Sequence, residues 1–162
     1  MLKVLAEQWC KNQNKLKKYL KDNYETLNSL MYKDIVQIAF EQIYDNKFDT
    51  LSFDCMTMVD NGGYQGTLLF IIPFNTYQPN EYQYLMTYID YGSCSACDTL
   101  LSLQYDYGYY GDDDKTKEDY LNDKINGFMC LCKDILMNTI KPYNSGWRKE
   151  EEWEPIEWDG NF

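Results

Sequence analysis

Tyr91-Gly92-Ser93-Cys94-Ser95-Ala96-Cys97-Asp98-Thr99-Leu100-Leu101 joins two apolar runs, and the way it turns the chain decides how the rest is arranged. Upstream, Tyr82 to Tyr91 is rich in Tyr, Met and Ile and reads as a strand. Downstream, Asp98 stands where a helix N-cap belongs, so residues 98 to 104 read as a short helix. Gly92 supplies a turn between them. Two thiols separated only by Ser95 and Ala96 let the backbone curl until both sulfurs face one point, which is the spacing of a metal knuckle.

Working back from the knuckle, Thr67-Leu68-Leu69-Phe70-Ile71-Ile72 is apolar on both faces and suits a central strand. Pro73 stops it because it has no N–H to give a ladder. Before it, Leu51, Phe53, Cys55, Thr57 and Val59 alternate with Ser52, Asp54, Met56 and Met58, a strand entering a hairpin at Asp60-Asn61-Gly62-Gly63. Short connections imply antiparallel order. Further back the period lengthens. Leu2, Leu5, Trp9, Leu16, Tyr19 and Leu20 mark an amphipathic helix over residues 2 to 22, and Leu27, Met31, Ile35 and Ile38 mark a second from about Thr26 to Asp45, with the break at Asn23 to Glu25.

Beyond the knuckle, Tyr105 to Asp114 reads as an exposed loop. Thr116-Lys117-Glu118-Asp119 then opens a long helix with a capping-box pattern, running to about Ile140 before Pro142. Its inward residues are Leu121, Ile125, Met129, Cys132, Ile135 and Leu136. The expected fold is α+β: an N-terminal helical hairpin, an antiparallel sheet of about three strands and a long C-terminal helix, forming one domain over residues 1 to 142. Residues 143 to 162 set Trp147, Trp153 and Trp158 among Glu150, Glu151, Glu152, Glu154, Glu157 and Asp159, either a tail packed on the body or a docking segment.

At 162 residues one core suffices. The net charge of −11 is uneven: residues 1 to 47 hold 8 Lys against 6 acids, and residues 48 to 162 hold 7 Lys or Arg against 20 acids. Such a surface repels phosphates and attracts basic proteins, although many acidic surfaces only solubilise. Direct nucleic-acid binding is therefore not expected. The start of the chain lacks the uninterrupted apolar core of a signal peptide, and the longest apolar run, Leu68 to Phe74, is too short to span a bilayer. An intracellular, monomeric protein with reduced thiols is expected, with no membrane association.

The six cysteines sort by spacing. Cys130-Leu131-Cys132 begins 33 positions after Cys97, so Cys94, Cys97, Cys130 and Cys132 are the candidate ligands of one structural zinc that would pin sheet to helix. Such an ion contributes on the order of 10 kcal/mol. Geometry opposes part of this, since residues i and i+2 of a regular helix point about 200° apart. Either Gly127 distorts the helix or one of the two binds, in which case Cys132 is favoured by its place on the inward stripe. Cys10 and Cys55 have no close partner in sequence and read as core. The other use of a CxxC between strand and helix is a redox dithiol. Against it, Asp98 adjoins the second thiol, and a strand meander lacks βαβ order. With no histidine in the chain, Ser-His and Cys-His catalysis are excluded, and neither GxxxxGK[ST] nor GxSxG occurs. A non-enzymatic protein is expected.

Tyr64-Gln65-Gly66-Thr67-Leu68-Leu69-Phe70, Tyr77-Gln78-Pro79, the knuckle, and Met129-Cys130-Leu131-Cys132 together resemble a group of small phage-encoded zinc-knuckle proteins with a YQGTL segment, a YGSCSGCD knuckle and a later helical ligand motif. The likeness spans roughly residues 60 to 142. It departs at Ala96, where glycine is expected, and at Cys132, where histidine is expected. It implies phage origin, a zinc cofactor and residence in the cytoplasm of an infected bacterium. A small acidic phage protein without catalytic motifs looks like an inhibitor of host defence, specifically an anti-CRISPR protein of the type II-A class. Its partner would be an RNA-guided effector nuclease, blocked in DNA binding or activation at its positive channels. The candidate contacts are Asp112, Asp113, Asp114, Glu150, Glu151 and Glu152, with Tyr109, Tyr110, Trp153 and Trp158 as anchors. The competing expectation is a zinc-stabilised structural or assembly protein.

Overall fold

The helical and strand periods become four helices and three strands in a computed structural model that describes residues 2–45, 50–105 and 116–140. Helix α1 covers Leu2–Asp22 and buries Leu5, Leu16 and Leu20. The expected second helix is divided. Tyr24–Ser29 is a 3-10 turn, Leu30 is extended, and α2 begins only at Tyr32 and runs to Ile43. The Asp34 carboxylate accepts from the Met31 N–H at 2.7 Å and so fixes the start. Met31, read from sequence as inward, sits at this cap and is 66% exposed.

Strand β1 is Thr57–Asp60, β2 is Gly66–Pro73 and β3 is Tyr84–Tyr91, in the order β1-β2-β3 and antiparallel throughout. The first strand is shorter than its alternation implied. Leu51 makes one bridge to Phe74, and Phe53–Cys55 then closes a 3-10 turn that interrupts the ladder. Residues 51 to 56 alternate in sequence, but burial does not follow the alternation: the 3-10 turn leaves Asp54 and Cys55 exposed side by side and buries Met56.

Register assigns the sheet faces. Leu68 opposite Ile89, Phe70 opposite Thr87 and Ile72 opposite Leu85 form the inner face, all buried. The helices cover it: α1 packs on α2 and on helix α4 (Lys117–Met137), α2 packs on α4, and α4 lies on β3. The Thr87 hydroxyl donates to the Ile135 carbonyl, joining β3 to α4. After α4 the chain returns to the sheet, where Ile140 exchanges two backbone hydrogen bonds with Met86 at 2.7 and 2.9 Å. The outer face carries Val59, Leu69 and Tyr88 side by side, with Ile71 and Met86 next to them. Val59 and Tyr88 are exposed and the others half-buried. No described helix is long and apolar enough to cross a membrane.

Candidate functional site

The knuckle is built by Asp98. The residue caps α3 (Thr99–Gln104), with one carboxylate oxygen accepting from the Leu101 N–H at 2.8 Å and from the Tyr32 hydroxyl at 3.0 Å. The other oxygen accepts from the Gly92 N–H at 3.2 Å. One buried carboxylate thus ties the exit of β3, the start of α3 and the first turn of α2 together. Burial pushes the Tyr32 phenol well above its ordinary range, and the neighbouring Asp98 charge adds to this. The Tyr32 oxygen in turn accepts from the Leu100 N–H.

Gly92 is required for a steric reason. A Cβ there would run into the Cys97 carbonyl and stand 2.6 Å from the Cys97 sulfur. That open space lets residues 94 to 98 fold back, with the N–H groups of Cys97 and Asp98 both donating to the Cys94 carbonyl. The two sulfurs end 3.1 Å apart, and both residues are exposed. The contact with the Cys94 sulfur, then that with the Ser93 hydroxyl, lowers the Cys97 thiol below its ordinary value. A shallow depression of about 230 Å³ lies alongside, lined by Cys97, Thr99, Ser102 and Leu103 among others.

The other cysteines are placed differently. Helix α4 is regular through residues 130 to 132, so Cys132 is buried in the core while Cys130, on the opposite side, is exposed. Burial pushes the Cys132 thiol up to about 12, which keeps it protonated. Gly127 does not distort the helix. It makes room for Leu103, whose Cδ2 a Cβ at this position would strike, and so it seats α3 against α4. Cys10 and Cys55, expected in the core, are both exposed. Cys10 falls outside the Leu5, Leu16 and Leu20 stripe, and Cys55 sits on the 3-10 turn.

Among the described residues no group of three or more Cys, Asp or Glu side chains gathers as a metal cluster. The structure brings Cys94 and Cys97 together and does not bring Cys130 or Cys132 to them. Tetrahedral zinc needs sulfur pairs about 3.8 Å apart, from Zn–S bonds of about 2.3 Å, so the exposed pair fits half of such a site after a small side-chain rotation. The expected partner contacts Tyr109, Tyr110, Asp112, Asp113, Asp114, Glu150, Glu151, Glu152, Trp153 and Trp158 all lie outside the described residues, as does the whole segment 143 to 162.

Charge is more segregated than the counts for residues 1 to 47 and 48 to 162 show. From residue 48 to residue 114 there are ten Asp or Glu and no Lys or Arg. The described part of this run is the sheet and the knuckle, with Asp54, Asp60, Glu81 and Asp90 exposed. Asp60 accepts from the Tyr91 hydroxyl at 2.8 Å and Asp90 from the Thr67 hydroxyl at 2.6 Å, which fixes both carboxylates at the sheet margin.

No family model, curated protein or solved structure matches the chain.

Proposed function

We propose that this is a non-enzymatic binding protein that docks a basic protein partner on the open face of its sheet. Its most specific form is inhibition of a type II-A RNA-guided nuclease of bacterial defence by a phage protein. The observation that carries the docking reading is the outer sheet face, with Val59, Leu69 and Tyr88 at its centre and Asp90 on the same face beside Thr67, in a stretch, residues 48 to 114, that holds ten acids and no Lys or Arg. An apolar centre with a charged rim suits recognition, because the centre supplies burial while the rim sets partner choice and encounter rate. The host-defence partner is supported by the resemblance in motifs and by the chemistry of such nucleases, whose nucleic-acid channels are positively charged. Zinc at the knuckle belongs to this reading as a structural cofactor, held by Cys94 and Cys97.

The test is target-DNA cleavage by a type II-A effector with its guide RNA, titrated with the purified chain. The chain should inhibit, less so as salt rises. The variant carrying Asp54→Lys, Asp60→Lys, Glu81→Lys and Asp90→Lys should lose inhibition while keeping its circular dichroism spectrum. Unchanged inhibition by that variant sinks the charge-based mechanism, and no inhibition by the parent chain sinks the nuclease as partner. In that case the structural or assembly reading stands.

A second reading, thiol redox, is favoured by the 3.1 Å sulfur contact. The objection from Asp98 is weaker than the sequence implied, because its carboxylate is buried and engaged by Tyr32, Gly92 and Leu101. A reversible two-electron couple in metal-free protein is its signature.

A further inference from the structure

The six cysteines all lie among the described residues, and the chain has no histidine. Every nitrogen or sulfur side chain able to hold zinc strongly is therefore accounted for. Only Cys94 and Cys97 converge, both are exposed, and Cys132 is locked in the core. A closed zinc site takes four such ligands, and two thiols alone leave half the coordination sphere to solvent. The same knuckle on a second copy supplies what is lacking.

We propose that Cys94 and Cys97 form half of a four-thiolate zinc site that is completed by Cys94 and Cys97 of a second copy, making a zinc-bridged dimer. The inference rests on the zinc part of the reading above and is independent of the nuclease as partner. The step balances simply: one Zn²⁺ binds four sulfurs, four protons leave to solvent, and no oxidant or reductant is used. A two-fold arrangement follows, since each copy offers the same two atoms to the shared ion. The position of the pair permits it. The thiols stand on an exposed turn beyond the end of β3, flanked by exposed Ser93, Ala96 and Thr99, so no bulky side chain in the turn blocks a facing knuckle.

The experiment uses the full reduced chain, titrated with zinc chloride and followed by light scattering, with cobalt(II) as the spectroscopic probe of the ligand set. The expected result is a rise of about twofold in mass, complete at about 0.5 metal per chain, with the cobalt absorption of a tetrahedral four-sulfur site. Chelator should return the monomer. Cys94→Ser and Cys97→Ser should each abolish the dimer, whereas Cys130→Ser and Cys10→Ser should leave it unchanged. A monomer holding about one zinc overturns the shared site while leaving zinc binding intact. A reduced chain that binds neither metal overturns both. Loss of the dimer in Cys130→Ser overturns the assignment of ligands.

Discussion

At the scale of single residues, Asp98 does more than its position before a helix announces. Its two oxygens accept from three donors on three separate elements, and all of this happens at 4% exposure. Removing the acceptor strands the Tyr32 hydroxyl and the Gly92 N–H. Asp98→Ala should therefore destabilise the fold by about 3 kcal/mol in urea denaturation, because each stranded buried group costs roughly 1–3 kcal/mol; a loss below about 1 kcal/mol would show that water replaces the carboxylate. Gly92 is tested through the thiols. Gly92→Ala forces the Cys97 carbonyl away from the strand end, an overpacking cost of about 1–3 kcal/mol. The same substitution should weaken capture of the pair by a bifunctional trivalent arsenical, which needs both sulfurs at once. Retained arsenical affinity would mean that the turn holds its shape without Gly92.

At the scale of elements, the start and the middle of α4 show different degrees of legibility. Its start is written in the sequence: the Thr116 hydroxyl accepts from the Asp119 N–H at 3.2 Å, and the Asp119 carboxylate accepts from the Thr116 N–H at 2.9 Å. Thr116→Ala should cost about 1 kcal/mol, read from the shift of the denaturation midpoint. Gly127 is not readable in this way. In isolation it lowers helix propensity by up to about 1 kcal/mol relative to Ala, yet its lack of a Cβ is what admits Leu103. Gly127→Ala should be destabilising in the parent chain and stabilising in a Leu103→Ala background, with a coupling energy of about 1 kcal/mol or more from the double-mutant cycle. Additive effects would show that Leu103 simply rotates away.

At the scale of the whole molecule, pH reports whether the core closes as described. In the unfolded chain the Cys132 thiol ionises above its ordinary 9.0, whereas folded it stays protonated to about 12 because burial penalises the thiolate. Unfolding therefore releases a proton in this window. The contribution is complete below about pH 9 and is lost as pH rises toward 12, at up to about 1.4 kcal/mol per unit. Tyr32, raised mainly by burial, adds a loss of the same sign at the upper end. Denaturation midpoints should fall between pH 9 and 11, and Cys132→Ala should flatten the lower part of that fall. A Cys132→Ala chain as steep as the parent would take the thiol out of the core.

Local chemistry made much of this legible in the chain itself. The capping box at Thr116, the N-cap at Asp98, the hairpin after Asp60, the apolar β2 and the stripe of α1 depend on neighbours a few residues away, so their positions follow from spacing. Tertiary contacts decided the rest. Residues 51 to 56 alternate like a strand but turn, because Phe53 packs against Phe40 at 6.5 Å between ring centroids. Cys132 spends its side chain on the core, so the pairing that sequence distance invited with Cys94 and Cys97 is not made. Which thiols meet is a matter of which helix face is buried, and burial is settled only when α1, α2 and β3 close over α4.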